Sequence, residues 1–302
     1  MYWNDLNTHL KRQYGCKVYK LALSSGCSCP NRDGTLGVRG CIFCDGAGAF
    51  AEAGDIPAQL AAARQRVSAK AGQGAKYIAY FQSFTNTYGD PAHLRKLFQA
   101  AIEPEDVAIL SIATRPDCLG PEISELLAEL NRVKPVWVEL GLQTIHPASA
   151  AYIRRGYDLP VFDAAVKRLK AIGVRVIVHQ ILGLPGETPE MMAQTSRYIG
   201  QAGVDGVKLH LLHVLRNTDL AAEWQAGRVQ TLELPEYIAA LELCLQNLPP
   251  EVVIHRLTGD GAKRDLLAPL WSGDKKRVLN AIRRAFEQDD LVQGSALSAA
   301  CE

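Results

Sequence analysis

The chain has 302 residues, of which 48% are hydrophobic and 22% are charged, and its formal net charge is +1 at pH 7. This length suits one large α/β domain or two ordinary ones. A net charge so close to zero argues against a protein that coats nucleic acid nonspecifically, although it is compatible with a local basic face. No apolar run reaches the roughly 18 residues that a membrane span needs, and the N-terminus lacks the apolar core of a signal peptide.

Short β-rich runs alternate with longer amphipathic runs over the first 215 residues. Strands are predicted at 18–23, 77–81, 107–113, 136–140, 175–181 and 206–211, and helices at 57–71, 91–101, 121–132, 161–172 and 189–202. This alternation predicts an α/β fold with a parallel sheet and right-handed crossovers. Six βα units fit an open partial barrel or a doubly wound sheet. Both architectures place their chemistry at the carboxyl ends of the strands.

The pattern loosens after residue 215. A helix is predicted at 232–248, a further strand at 252–255 and a basic helix at 274–288. No linker rich in Pro, Ser or Gly separates this part, so we expect a domain of residues 1–215 with an extension, 216–302, packed on it. The extension carries basic residues that fit either an RNA-contacting face or a solvated helix. They are Lys263, Arg264, Lys275, Lys276, Arg277, Arg283 and Arg284.

Eight cysteines are present, and half of them lie close together near the N-terminus. Without a signal peptide, this usage fits a reducing compartment better than a disulfide framework, which predicts a soluble, cytoplasmic protein. Four scattered cysteines are expected to be buried small hydrophobes or inert surface thiols. These are Cys16, Cys118, Cys244 and Cys301.

The loop 26–45, GCSCPNRDGTLGVRGCIFCD, has no periodicity that explains its cysteines. The Cys41-x-x-Cys44 spacing lets the backbone turn around a metal centre and point both sulfurs inward. With Cys29 the loop offers three thiols, and three thiolates on a four-iron cluster leave one iron open. Cys27 leaves an alternative, because four thiols could hold a structural zinc ion in a non-catalytic binding protein.

Polar side chains follow several of the predicted strands and are candidates for ligand binding. They are Gln82, Ser83, Thr85 and Asn86, then Arg115 and Asp117, then Glu139 and Gln143, and then the turn that begins at Gly183. Lys208 and His210 share one face of the sixth predicted strand and are candidates for contacting a substrate. His179 lies on the predicted fifth strand. A histidine in this position is more often a hydrogen-bonded core or rim residue than a metal ligand.

Together these motifs resemble the radical S-adenosylmethionine (radical SAM) superfamily, and within it the uncharacterised bacterial group that includes the YhcC and YtqA proteins. The resemblance spans nearly the whole chain, through CPNRDGTLGVRGCIFC, YFQSFTNTY, ATRPDCL, ELGLQTIH, HQILGLPGET, DGVKLHLLHV and RLTGDG…LLAPLW. A more distant likeness, in TRPD, ELGLQ, GLPGET and VKLHLLHVLRNTDL, is to the radical SAM domain of the Elongator catalytic subunit, which modifies wobble uridine in tRNA.

The resemblance implies a partial (β/α)6 TIM-like barrel and an enzyme that uses an iron-sulfur centre. A [4Fe-4S] cluster would be bound by Cys29, Cys41 and Cys44, and its open iron would chelate SAM. Reductive cleavage of SAM would give a 5′-deoxyadenosyl radical that abstracts hydrogen from an unknown substrate, with tRNA as a candidate. A flavodoxin- or ferredoxin-like protein would donate the electron. The gap before Cys41 is longer than the common spacing of three residues, which leaves Cys27 and Cys29 as alternatives for the third ligand.

The resemblance also implies which strand ends hold SAM. Gln82, Ser83, Thr85 and Asn86 stand where a Gly-Gly-Glu turn usually meets the methionine ammonium, Arg115 would contact the carboxylate, Glu139 and Gln143 the ribose or methionine, and Gly183 the adenine. From the residues alone, four of them have ordinary alternatives. Glu139 could be a surface glutamate and Gln143 a helix-capping glutamine, Arg115 could pair with Asp117 on the rim, and Gly183 could form a tight turn.

Overall fold

The computed structural model describes residues 2–46, 54–259 and 263–298. Its strands are β1 (Val18–Leu23), β2 (Lys76–Phe81), β3 (Val107–Thr114), β4 (Val136–Gln143), β5 (Arg175–Leu182), β6 (Gly206–Leu211), β7 (Val214–Leu215), β8 (Val253–Arg256) and β9 (Leu266–Ala268). Cys301 and the residues Asp260 and Gly261 of the RLTGDG motif lie outside the described residues.

The helices are α1 (Leu6–Tyr14), α2 (Ile56–Val67), α3 (Pro91–Ile102), α4 (Pro121–Val133), α5 (Pro147–Tyr152), α6 (Leu159–Ala171), α7 (Pro189–Gln201), α8 (Asp219–Gln225), α9 (Leu234–Gln246), α10 (Lys275–Gln288) and α11 (Ser295–Ser298). Several begin with proline directly after a capping residue, as at Asp90, whose carboxylate accepts the backbone N–H of His93 at 2.7 Å. Proline suits this first turn because its missing N–H would have no partner there. Among the described residues, no helix is long and apolar enough to cross a membrane.

Seven strands form one parallel sheet in the order β1-β2-β3-β4-β5-β6-β8. The first six follow chain order, so the sheet is the curled half-barrel that the strand–helix alternation and the resemblance predicted. The seventh strand comes from the C-terminal part of the chain and pairs with β6. Strand β4 runs to Gln143, three residues further than predicted. This extension carries Gln143 to the carboxyl end of the sheet.

Apolar side chains on the two faces of the sheet form two separate layers. The outer layer packs against helices such as α3 and α4, through residues such as Phe98 and Leu127 that are fully buried. The inner layer includes Tyr80 and Trp137, and Leu10 of α1 packs against it. Helix α1 was not predicted, although its caps, Asp5 and the left-handed Gly15, are ordinary helix signals.

Strands β1 and β8 are the two edges of the sheet. The N-terminal segment follows the free edge of β8, where the N–H of Ile254 donates to the carbonyl oxygen of Asn4 at 2.8 Å. Helix α10 packs on the body through Val278, Ile282 and Phe286, which are fully buried. These two elements therefore lie on the open side of the half-barrel.

Candidate active site

A cavity of about 260 Å³ lies where the cysteine loop meets the carboxyl ends of β2, β3 and β4. It gathers side chains that are far apart in the sequence, because parallel strands end at the same edge of a sheet. Eight of the residues predicted to bind the cluster or the cofactor line it. They are Cys29, Cys41, Cys44, Gln82, Thr85, Arg115, Glu139 and Gln143.

Arg32 holds the cysteine loop together. Its Nη2 donates to the carbonyl oxygen of Cys44 at 2.5 Å. A Cβ atom added at Gly40 or Gly46 would lie 2.9 Å from the guanidinium group of Arg32. The loop can therefore close around Arg32 only because both positions are glycine. Both glycines also have positive φ, +74° and +69°, which disfavours any other residue. Arg32 lines the cavity and was not among the predicted site residues.

Cys41 lies in an enclosed part of the cavity wall. Burial, followed by the charge of Cys44, raises the pKa of Cys41 to about 11. Asn31 lies close, with its Nδ2 3.5 Å from Cys41 Sγ and 2.8 Å from the carbonyl oxygen of Arg154. In the absence of a metal this thiol keeps its proton. An electrophilic centre that binds thiolate would displace that proton.

Cys27 lies outside this cavity. It packs against the main core, and a Cβ atom at Gly89 would lie 3.4 Å from its Sγ. Ser28, which stands between the two cysteines, is held by the turn after β2, because its carbonyl oxygen accepts the N–H of Thr85 at 3.2 Å. In the described part of the chain, no three His, Cys, Asp or Glu side chains converge on a single metal ion. The zinc hypothesis is therefore not supported, whereas a multi-iron cluster binds each thiolate at a different iron.

Glu139 lies inside the half-barrel and is 1% exposed, so it is not the surface glutamate of the simpler interpretation. Its carboxylate accepts hydrogen bonds at 2.7–2.9 Å from His179 Nε2, Tyr80 Oη and Ser111 Oγ. It also pairs with Lys208 Nζ, and Lys20 Nζ lies 3.7 Å away. Burial alone would raise the pKa of Glu139, but the charges of Lys208 and Lys20 hold it well below its usual range. Glu139 is therefore ionised at the cavity wall.

The neighbouring histidines are neutral. Burial, followed by the charge of Lys208, lowers the pKa of His179 to about 4. Its Nε2 therefore carries a proton that it donates to Glu139. His210 stacks on His179 with a centroid distance of 5.0 Å and lines an adjoining cavity of about 190 Å³. The predicted substrate residues Lys208 and His210 do share one face of β6, as expected, but neither lines the cysteine cavity.

Arg115 forms the ion pair with Asp117 that the sequence allowed, with N···O distances of 2.9 and 2.7 Å. It nevertheless lines the cavity, where its Nη1 donates to the carbonyl oxygen of Arg155 at 2.8 Å. The ring of Tyr157 lies between the guanidinium groups of Arg115 and Arg155, at 5.3 and 4.6 Å. Arg155 and Tyr157 also line the cavity and were missed, since they follow α5 rather than a strand.

Gln143 offers an unused acceptor to the cavity. Its Oε1 is buried with no hydrogen-bond partner, and its backbone has φ +67°. A buried amide oxygen without a partner costs free energy unless a ligand or water meets it. The predicted contact of Gln143 with SAM stays a prediction, with which this unpaired oxygen is compatible.

The remaining predicted cofactor residues do not line this cavity. Asn86 is fully buried and joins two strands, because its Nδ2 donates to the carbonyl oxygens of Phe81 and Ala113 at 3.1 and 2.8 Å. It also accepts a hydrogen bond from Ser25 Oγ at 2.6 Å, just before the cysteine loop. Gly183 has φ +86° and approaches Leu232, and Ser83 lies in the turn after β2.

Sequence comparison identifies the class of protein to which this site belongs. Residues 32–199 match the radical SAM superfamily, and residues 204–288 match the radical SAM C-terminal domain. The chain belongs to the radical SAM superfamily. The first match contains Cys41 and Cys44 and starts three residues after Cys29. Members of this superfamily bind a [4Fe-4S] cluster and SAM, which confirms the expected class of enzyme and its cofactors.

Two bacterial relatives match nearly the full length of this chain, and a third, archaeal relative matches half of it. The uncharacterised protein YtqA of Bacillus subtilis is 41% identical over 296 residues, covering 97% of this chain and 92% of that protein. Protein YhcC of Escherichia coli K12 is 37% identical over 295 residues, covering 97% and 95%. A tRNA uridine(34) acetyltransferase of Methanocaldococcus jannaschii is 29% identical over 155 residues, which is 50% of this chain and 28% of that enzyme.

Among solved structures, the archaeal Elp3 of Methanocaldococcus infernus superposes with a TM-score of 0.71 at 18% identity. The superposition covers 91% of this chain and 64% of the archaeal chain. At this identity the likeness concerns the fold alone.

The radical SAM cofactors fit the residues at the cavity. Three cysteines line it together with three arginines, Arg32, Arg115 and Arg155, and the buried Oε1 of Gln143 has no hydrogen-bond partner. Cationic groups favour bound thiolates and the carboxylate of an amino acid. The donor set therefore suits a cluster and a ligand that carries both an amine and a carboxylate.

Proposed function

We propose that this chain is a radical SAM enzyme whose [4Fe-4S] cluster is held by Cys29, Cys41 and Cys44. The supporting observation is that these three cysteines line one cavity at the carboxyl ends of the strands, while Cys27 lies outside it and packs against the core. When bound, the cluster and SAM together supply a 5′-deoxyadenosyl radical that takes a hydrogen atom from the substrate.

The residues around the cavity have distinct proposed roles. Arg32 fixes the cysteine loop and offsets thiolate charge, and Arg155 and Arg115 orient the carboxylate of SAM. Gln82 and Thr85, after β2, offer polar groups to the methionine ammonium. Gln143 accepts a hydrogen bond from the ligand through its unpaired Oε1. Glu139 is already hydrogen-bonded by protein groups, so we assign it to positioning as well as to ribose contact.

The decisive experiment compares two neighbouring cysteines. Wild-type protein, Cys29→Ala and Cys27→Ala are reconstituted anaerobically with iron and sulfide, then given dithionite and SAM, and 5′-deoxyadenosine is measured by chromatography. We expect Cys29→Ala to lose the cluster absorbance and the product, and Cys27→Ala to keep both. Loss in Cys27→Ala alone would contradict the ligand assignment. A wild-type protein that takes up no iron would contradict the proposed enzyme.

We further propose tRNA as the substrate and a flavodoxin- or ferredoxin-like protein as the electron donor, with the enzyme in the cytoplasm where tRNA is modified. The support for tRNA is the similarity of half of this chain to a tRNA uridine(34) acetyltransferase. The test uses tRNA from a strain that lacks this gene. We expect 5′-deoxyadenosine to increase with this tRNA and not with wild-type tRNA, and nucleoside mass spectrometry to show a new modification.

A further inference from the structure

A second and larger cavity, of about 750 Å³, opens on the side of the half-barrel between its edge strands. We call it the edge crevice. It is lined by residues of the N-terminal segment, Lys20 of β1, the end of β8 and one face of α10. Its volume lies within the range of about 300–1,000 Å³ that is usual for small-molecule sites. None of the residues predicted to hold the cluster or SAM lines it.

Cations outnumber carboxylates in the edge crevice. Four basic residues line it, Lys20, Arg256, Lys275 and Arg283, against the two acidic residues Asp5 and Glu287. Asp5 Oδ1 accepts the N–H of Thr8 at 3.1 Å as the cap of α1, and this hydrogen bond leaves its charge in place. Lys20 lies 3.7 Å from Glu139, so without it three cations still face two carboxylates. A concave surface with an excess of positive charge concentrates anions.

The floor of the edge crevice holds polar groups without partners. Thr258 is 2% exposed, and its Oγ1 has no hydrogen-bond partner. His255 Nδ1 is also buried without a partner, and its ring lies 5.1 Å from that of Trp137. Buried polar atoms of this kind are normally satisfied, so two on one crevice floor point to a polar ligand. Burial holds the pKa of His255 well below its usual value, so the neutral ring has one N–H to donate.

Aromatic rings complete the lining. Tyr2 and Trp3 face the same crevice as the cations, and Trp3 is held in place by an edge-to-face contact of 5.3 Å with Phe286. Cationic groups beside exposed aromatic rings are the combination that binds nucleotides, because the cations meet phosphate and the rings stack on a base. A carboxylate or sulfate ligand would not use the rings.

The edge crevice also adjoins the proposed active site. Lys20 lines it and lies 3.7 Å from Glu139, which lines the cysteine cavity. Lys20 therefore links the edge crevice to Glu139 on the wall of the cysteine cavity. A ligand seated against Lys20 would lie one ion pair away from the space that the radical chemistry uses.

We infer that the edge crevice binds a nucleotide unit of the substrate, with its phosphate against Lys275, Arg283 and Arg256 and its base against Tyr2 and Trp3. The claim that the nucleotide belongs to the substrate rests on the proposed function. The claim that the edge crevice binds a nucleotide rests on the residues of the crevice alone. The source of the nucleotide is either a free nucleotide or one residue of an RNA strand.

Helix α10 offers a matched pair of variants. Lys275 and Arg283 line the edge crevice, whereas Lys276 and Arg284, the next residue in each case, are equally exposed on the same helix and do not. The test measures binding of UMP, inorganic pyrophosphate and a five-nucleotide single-stranded RNA by calorimetry. It uses wild-type protein, Lys275→Gln/Arg283→Gln and Lys276→Gln/Arg284→Gln, with circular dichroism to confirm folding.

We expect the crevice variant to weaken binding at least about tenfold, as for loss of hydrogen bonds to a charged group, and the neighbouring variant to change it little. Binding of UMP would identify a free nucleotide as sufficient, and binding of the RNA alone with the same variant dependence would identify a polynucleotide. Equal weakening by both variants, or no binding of any probe, would overturn the inference. Cys29→Ala should keep this binding while losing SAM cleavage, which separates failure of the inference from failure of the proposed function.

Discussion

Replacing Glu139 tests whether the carboxylate inside the half-barrel compensates the cations around it. Glu139 is 1% exposed, and the side chain of its partner Lys208 is 2% exposed. In Glu139→Gln the buried ammonium of Lys208 loses its charged partner. Removing one member of a buried ion pair costs about 3–5 kcal/mol, because the other charge stays buried without compensation. With an m-value of about 3 kcal/mol/M, the urea midpoint should fall by about 1–1.7 M.

Removing the other member of the pair, Lys208, should lower the free energy of unfolding by less. In Lys208→Met the carboxylate keeps its hydrogen bonds from Tyr80 and Ser111 and its ion pair with Lys20. We expect a loss below about 2 kcal/mol, close to that of one charged hydrogen bond. The assay is urea unfolding followed by tryptophan fluorescence and circular dichroism. Glu129→Gln is the control, because Glu129 and its partner Arg95 are exposed and such pairs contribute little.

The order of the two effects decides the outcome. If Glu139→Gln leaves the urea midpoint unchanged, Lys208 is not held as a buried cation. If Lys208→Met lowers the midpoint as far as Glu139→Gln does, the carboxylate depends on Lys208 alone and the network of donors around it is energetically unimportant. Either result would refute the charge compensation proposed for the half-barrel.

Three further predictions concern stability. The folded pKa of His179 is about 4 against 6.5 when unfolded, so the unfolded state binds the proton first and stability falls as pH drops from 6.5 to 4, by up to about 1.4 kcal/mol per pH unit. His179→Gln should flatten urea midpoints measured between pH 7 and 5, and an unchanged slope would contradict this. Burial, then the charge of Asp289, raises the pKa of Glu242 to about 7, so its ionisation costs stability as pH rises through the range from 4.5 to 7. Glu242→Gln should therefore raise the melting temperature at pH 8 and not at pH 4.5. An equal increase at both pH values would contradict the raised pKa of Glu242. A Cβ at Gly200 would lie 2.3 Å from Cδ of Pro249. Gly200→Ala should therefore lower the free energy of unfolding in urea by about 1–3 kcal/mol, despite the better helix propensity of alanine. A stabilised variant would show that Pro249 moves to accommodate the added methyl group.

Local signals in the sequence predicted the elements well. All six strands of the barrel region and the five helices between them occur, with ends that move by a few residues. Capping residues such as Asp90, followed by proline, mark helix starts through hydrogen bonds within one turn, so they can be read without a fold. Helix α1 was missed although its caps, Asp5 and Gly15, could be read locally, because it buries only Leu10 and therefore shows little apolar periodicity.

In the cysteine loop, local sequence signals identified only part of the set of thiols at the cavity. The spacing of Cys41 and Cys44 indicates a shared centre, since two residues fix the distance between their thiols. The sequence left Cys27 and Cys29 open as partners. Only the tertiary structure places Cys29 at the cavity and the half-buried Cys27 against the core, because their positions depend on contacts with the turn after β2.

The sequence by itself determined an α/β fold with a parallel sheet, a set of thiols and polar residues at the strand ends, because periodicity, capping and spacing are short-range properties. Periodicity left a partial barrel and a doubly wound sheet open, and the family resemblance implied the barrel. The tertiary structure decided that Glu139 is a buried carboxylate rather than a surface one. It also brought Lys20, Lys208 and Glu139 together, and opened the edge crevice between β1 and β8. These features depend on the curl of the sheet, which brings together residues that are distant in the chain, such as Glu139 and Lys208, 69 positions apart. Local sequence patterns do not predict such contacts.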